Sequence, residues 1–290
     1  MRAILFALLL FALPAQASEM VAARFHSATL GRDWDYNLYT PTGYAPATTR
    51  YPVLYLLHGF GNTRDEWVDK GGIAALADRL IAAGTIPPCL IVMPSAGESW
   101  YLDSAEAMET AFIRDLLPEI EAHRGGMAER HGRLIAGVSM GGYGALRFAL
   151  RYPGMFAAAG LLSPAIYDPL PPPNSASRRS AAFMAAGAFD PTLWQRYNYP
   201  SLLPKFRAAG RTIPLYVVAG ADDELHIGGH VNELSRIWTT RHWPGTFLVL
   251  PGKHDFVMWR RVMPDVLGFL FRHLDDPDIG PANIADRRPR

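Results

Sequence analysis

Arg133-Leu134-Ile135-Ala136-Gly137-Val138-Ser139-Met140-Gly141-Gly142-Tyr143-Gly144-Ala145 carries the strongest structural signal in this chain of 290 residues. It opens as a short aliphatic run that reads as a buried strand over 133–138. After one serine it turns into a helical pattern over 140–151. A serine hydroxyl is a poor nucleophile unless its proton is removed and its oxygen is held exposed. A tight strand-to-helix turn supplies the exposure, and Gly137 and Gly141 let the backbone make that turn without clashes. The turn also aims the Met140 N–H at the reaction centre, where a helix N-terminus favours developing negative charge. Ser139 is therefore expected to be a nucleophile at the edge of a sheet.

On either side of this stretch, short β-branched and aliphatic runs alternate with longer helical patterns. That alternation is the signature of a mostly parallel sheet flanked by helices, an α/β fold. Strands are expected at 51–57, 90–93, 133–138, 157–162, 214–219 and 247–250. Helices are expected at 64–83, 105–123, 140–151, 225–240 and 256–274. Residues 21–39 read as an antiparallel hairpin with its turn near Gly31-Arg32. Two segments break the alternation. Residues 168–180 hold Pro169, Pro171, Pro172 and Pro173 and read as a loop, and 181–206 mixes short helical stretches with Trp194, Tyr197 and Tyr199. An insertion near 165–206 would lie over the strand C-termini, where open α/β sheets bind ligands.

Composition sets the class. With 49% apolar and 19% charged residues the chain is globular, and a formal net charge of +1 gives no electrostatic case for nucleic acid or an anionic membrane. Met1-Arg2, an apolar run over 3–13 and Ala15-Gln16-Ala17 fit an export signal cleaved near Ala17. The apolar run is too short to span a bilayer, so no stable membrane anchor is expected. Three parts follow: a signal at 1–17, a catalytic domain at 18–274 and a polar tail at 275–290. The protein is expected to be secreted or periplasmic. Its single cysteine, Cys89, lies in an apolar run and reads as a small core residue, and it has no partner in the chain for a disulfide.

A serine nucleophile needs a base later in the chain, and in sheets of this kind the order is serine, acid, histidine. Of nine histidines, His254 alone follows a strand through a short loop, Pro251-Gly252-Lys253, before a helix begins. The acid belongs on the loop after 214–219, where Asp222, Asp223 and Glu224 all qualify by position. The second oxyanion donor is expected in Leu57-His58-Gly59-Phe60-Gly61, with the Phe60 N–H preferred and Gly61 next. His58 reads as a structural residue that bonds the loop backbone. No H-E-x-x-H or paired Cys/His spacing occurs, so no metal is expected, and no cofactor is implied.

Several blocks together resemble the esterase D-like family of α/β-hydrolases. The carriers are Leu56-Leu57-His58-Gly59-Phe60-Gly61-Asn62 with Trp67, Met93-Pro94, Ser99-Trp100-Tyr101-Leu102-Asp103, Asp115-Leu116-Leu117-Pro118-Glu119-Ile120, the Ser139 block, and Pro251-Gly252-Lys253-His254-Asp255 with Trp259. The family includes S-formylglutathione hydrolases, tributyrin, feruloyl and acetylxylan esterases, siderophore trilactone esterases and mycolyltransferases. The resemblance runs from about 24 to 274 and implies the α/β-hydrolase fold. It also implies a triad of Ser139, His254 and Asp223, the acid falling at the fourth position of Gly220-Ala221-Asp222-Asp223. Residues 99–103 are implied to line the cleft, and Trp67, Trp100 and Tyr101 are expected to stack on substrate.

The expected activity is hydrolysis of short-chain acyl, acetyl-sugar or feruloyl esters, free or attached to a polysaccharide. Activity is expected to fall in acid as His254 becomes protonated. Acyl transfer through the same triad is the alternative within catalysis, and a non-catalytic carbohydrate- or surface-binding protein is the alternative outside it. Oligomeric state is not legible.

Overall fold

The computed structural model describes residues 16–274. Residues 1–15, which hold most of the expected export signal, and the expected tail at 275–290 lie outside the described residues. Eight strands form one sheet: β1 (Glu19–Ser27), β2 (Arg32–Thr40), β3 (Val53–Leu57), β4 (Leu90–Pro94), β5 (Arg133–Val138), β6 (Ala158–Leu162), β9 (Leu215–Gly220) and β10 (Gly245–Leu250). Their spatial order is β1-β2-β4-β3-β5-β6-β9-β10. The first two strands pair antiparallel, β2 joins β4 antiparallel, and every later pairing is parallel. The small hairpin β7 (Met184–Ala185) and β8 (Ala188–Phe189) stands apart from this sheet.

The central strands read as unbroken apolar runs because both faces are covered. Along β3, Val53, Tyr55 and Leu57 point into one core while Leu54 and Leu56 point into the other. The first core is closed by α5 (Met140–Arg151) and α8 (Ile227–Thr240), through Leu146, Phe148, Val231 and Trp238. The second is closed by α2 (Ile73–Ala82) and α9 (Phe256–Phe271), through Leu76, Val262, Val266 and Leu270. Because β3, β5, β9 and β10 run parallel, their C-terminal ends share one edge of the sheet. In open α/β sheets ligands bind outside that edge.

Two expected helices are broken, each for a local reason. The stretch 64–83 divides into α1 (Glu66–Asp69) and α2, since Gly72 sits at φ 59, a left-handed conformation that interrupts a right-handed helix. The stretch 105–123 becomes α3 (Met108–Ala111), a π-helical turn (Phe112–Leu116) and α4 (Leu117–His123). Within the π turn the Asp115 carboxylate accepts from the Thr29 N–H at 2.8 Å, from the Thr29 hydroxyl at 3.0 Å and from the Ser27 hydroxyl. Asp115 thereby pins the tip of the β1–β2 hairpin. The 165–206 segment forms short 3₁₀ turns, the β7–β8 hairpin, α6 (Pro191–Tyr197) and α7 (Leu203–Ala208). Among the described residues no helix is long and apolar enough to cross a membrane.

Candidate active site

Ser139 follows the last residue of β5 and caps α5 with φ 53 and ψ −115. A non-glycine residue in that region costs on the order of 1–3 kcal/mol and persists only where its surroundings dictate it. Here they do: the Ser139 N–H donates to Leu162 O at 2.9 Å, and Ser139 O accepts from Tyr143 N and Ala165 N. The flanking glycines are a packing requirement. A Cβ on Gly141 would come within 2.5 Å of Leu57 O, and one on Gly137 within 2.5 Å of Gly141 C. Ser139 makes no side-chain cap bond, so its hydroxyl is not spent on holding the helix.

A cleft of about 360 Å³ opens over this turn and is lined by Gly59, Phe60, Asn62, Glu66, Ser139, Asn174, Ala176, Arg179, Glu224, Leu225, His254 and Trp259. On the loop after β10, His254 places Nδ1 2.8 Å from Asp223 Oδ2. Asp223 is 3% exposed, and its other oxygen accepts from the Leu225 N–H at 2.9 Å. Asp222 is exposed. Its backbone N–H binds Gly252 O at 2.9 Å, which ties the acid loop to the histidine loop. Trp259 packs edge-to-face on the His254 ring, with centroids 5.1 Å apart, and its indole N–H donates to the buried Ser163 hydroxyl at 3.0 Å.

The loop after β3 is held atom by atom. Leu57 O accepts from Trp67 Nε1 at 3.0 Å, and His58 O accepts from the Tyr101 hydroxyl at 3.1 Å. The Gly59 N–H donates to Glu66 Oε2 at 2.7 Å, and Phe60 O accepts from Asn62 Nδ2 at 3.2 Å. Among the described residues the Phe60 N–H has no acceptor. The Met140 N–H, at the first position of α5, has no intrahelical partner either. The Met140 side chain is fully buried in the core.

Trp67, Trp100 and Tyr101, expected to stack on substrate, are packed inside the protein. They are 1%, 1% and 0% exposed and none lines the cleft. An aromatic residue with a polar tip satisfies burial and hydrogen bonding together. Trp67 and Tyr101 use that property beneath the β3 loop, while Trp100 packs edge-on against Tyr143, Phe183 and Trp194. The residues that do line the walls include Glu66, Asn174, Arg179 and Leu225, which the sequence reading did not single out as site residues, and Glu224, which it offered only as a candidate acid. Nothing in spacing marks Glu66, because its partner is a backbone N–H seven residues earlier. Arg179 and Asn174 arrive from the proline-rich segment, whose path no periodicity dictates.

His58 illustrates how burial sets charge. Its Nε2 accepts from the Ala96 N–H at 2.8 Å, so the ring proton sits on Nδ1, which donates to Gly59 O at 2.7 Å. Burial pulls its pKa from 6.5 down to about 4, partly opposed by the bond to Gly59. A second ring proton would face the Ala96 N–H. The unfolded chain binds that proton and the folded one does not, so stability is present above pH 6.5 and is lost as pH falls toward 4. The loss from this residue is about 3 kcal/mol. Urea unfolding of His58→Asn, compared with wild type across that window, is expected to show a shallower decline, and equal slopes would refute the assignment.

The family model described as "Putative esterase" matches residues 27–270. An esterase of Mycobacterium tuberculosis is 40% identical over 144 residues, which cover 47% of this chain and 30% of that protein. An endo-1,4-beta-xylanase/feruloyl esterase of Xylanibacter ruminicola is 36% identical over 159 residues, covering 50% of this chain and 21% of that one. The chain therefore spans under a third of the length of either relative. A solved ferulic acid esterase superposes with a TM-score of 0.76 at 27% identity, covering 89% of this chain and 99% of that chain. The α/β-hydrolase fold expected from the sequence is the fold observed.

Proposed function

The chain belongs to the esterase family matched over residues 27–270, and from that premise we propose that it is an exported serine carboxylesterase working through an acyl-enzyme. One observation carries the reading: His254 is bonded to the buried Asp223 at 2.8 Å in the same cleft that exposes Ser139 on its strained turn.

In the first half-reaction Ser139 Oγ attacks the ester carbonyl carbon while His254 Nε2 takes its proton. The carbonyl electron pair moves to oxygen, and the Phe60 and Met140 amides hold the resulting oxyanion. Collapse breaks the carbon–oxygen bond to the alcohol, which leaves with the proton from His254. Water then repeats the attack, giving up a proton to His254 and releasing the acid and the free Ser139 hydroxyl. Asp223 holds the imidazole in the required tautomer and stabilises the imidazolium.

The walls favour polar esters. Asn62, Asn174, Arg179 and Glu224 share the cleft with Phe60, Ala176, Leu225 and Trp259, so a sugar or phenolic ring finds hydrogen-bond partners as well as apolar faces, where an alkyl chain uses only the apolar ones. The reading is tested with p-nitrophenyl acetate, butyrate and octanoate, methyl ferulate and acetylated xylan, with Ser139→Ala as control. Acetyl or feruloyl esters are expected to exceed octanoate in kcat/KM. Preference for octanoate would overturn the substrate class, and turnover independent of Ser139 would overturn the mechanism.

A further inference from the structure

Tyr101 lies between the two backbone segments that carry the oxyanion amides, and its geometry gives it a task that burial alone does not explain. On one side its hydroxyl donates to His58 O at 3.1 Å, two residues before Phe60. On the other its ring lies against α5 where Gly144 leaves room. A Cβ at Gly144 would meet Tyr101 Cδ2 at 2.6 Å and Cγ at 2.9 Å. The ring is thus wedged between the β3 loop and the helix whose first residue is Met140. A rigid aromatic ring resists compression better than a flexible side chain would.

The backbone beneath it is held in an unfavourable conformation. Trp100 and Tyr101 have φ 55 and φ 56, two consecutive non-glycine residues in the left-handed region. Such strain is retained where the surroundings over-determine it, and it clusters at sites whose geometry matters. The surroundings here are specific. The Tyr101 N–H binds Ser99 Oγ at 3.1 Å, the Leu102 N–H binds Ser99 O at 3.1 Å, and the Asp103 carboxylate takes the Thr110 N–H and hydroxyl at 2.9 and 2.6 Å. Trp100 is clamped in its aromatic cluster at centroid distances of 5.1 to 6.1 Å. Burial also pushes the Tyr101 phenol well above its ordinary range, so it stays protonated and remains a donor to His58 O.

We propose that Tyr101 is a positioning residue that sets the spacing between the Phe60 and Met140 amides, and so determines how well the site holds an oxyanion. The proposal rests on the assignment of those two amides in the proposed function. An oxyanion hole acts through donors fixed 2.7–3.1 Å from where the charge will develop, so a small displacement of one donor costs rate rather than substrate affinity. Tyr101 touches neither substrate nor reacting atoms; it works through His58 O and α5.

The test compares wild type with Tyr101→Phe, which keeps the ring and removes the bond to His58 O. The readouts are kcat and KM for p-nitrophenyl acetate, the acid limb of the rate profile, and inhibition by butylboronic acid. In the boronate adduct Ser139 Oγ donates an electron pair to boron and its proton passes to His254. The tetrahedral anion so formed places an oxygen where the oxyanion forms. The variant is expected to lose on the order of tenfold or more in kcat, with KM within about threefold and the acid limb unmoved. Its boronate inhibition constant is expected to rise by about the factor lost in kcat/KM. A merely structural role would lower melting temperature without that correlation. Kinetics and boronate affinity equal to wild type would overturn the positioning role while leaving the esterase reading intact. A wild-type protein without Ser139-dependent turnover would overturn both.

Discussion

Ser139→Ala is expected to lower kcat for p-nitrophenyl acetate by about four to six orders of magnitude while the protein remains folded. The size follows from what is removed. Without Oγ no acyl-enzyme forms, and water must attack without a covalent stage, aided only by the oxyanion amides and binding. Folding is expected to survive, because the Ser139 hydroxyl caps nothing and the strained turn is held by backbone bonds from Ser139 N to Leu162 O and from Tyr143 N and Ala165 N to Ser139 O. Alanine carries the same Cβ as serine and meets the same φ of 53. The measurement pairs steady-state turnover with fluorophosphonate labelling and a thermal melt. Wild type should label and the variant should not, with melts within a few degrees of each other. A variant that kept more than about one part in a hundred of wild-type turnover would remove Ser139 from the nucleophile's role.

The parts of this site that could be read from the sequence are those whose local chain geometry is dictated by neighbours in sequence. The serine turn is one such part, because strand, glycines and helix occupy adjacent positions, and β5 and α5 begin and end at the expected residues. His254 is another, since a strand, a short glycine-containing loop and a helix frame it. What could not be read depends on contacts between distant segments. Trp67 and Tyr101 share the composition of substrate-stacking aromatics, and only the folded chain shows that their polar tips point at Leu57 O and His58 O. By sequence Glu66 is one carboxylate in a helix expected over 64–83, and by structure it is a clamp on Gly59. The π turn that sets Asp115 toward Ser27 and Thr29 depends on a hairpin more than eighty residues away. The cleft wall from residues 174–179 belongs to a segment whose prolines mark a loop without saying where it goes.

The acid is where sequence position left three candidates open, and the expected contrast between two of them is large. Asp223→Asn should lower kcat by about four orders of magnitude, whereas Asp222→Asn should stay within about threefold of wild type. Asp223 is buried, and it spends one oxygen on His254 Nδ1 and the other on the Leu225 N–H. An asparagine in its place can keep the bond from Leu225 and present its amide N–H₂ to Nδ1. The imidazole must then accept at Nδ1 and carry its proton on Nε2, the nitrogen that has to take the proton of Ser139. The variant also lacks the negative charge that stabilises the imidazolium. Asp222 takes part through its backbone, with its N–H on Gly252 O and its side chain exposed, so losing its charge leaves the histidine loop in place. The check is kcat and the rate of fluorophosphonate labelling for both variants, since the labelling step needs the same proton transfer from Ser139. Slow labelling of Asp223→Asn beside near-wild-type labelling of Asp222→Asn is the expected pattern. The reverse would move the acid one residue toward the strand, and the bond between Asp223 and His254 would then serve only to hold the two loops together.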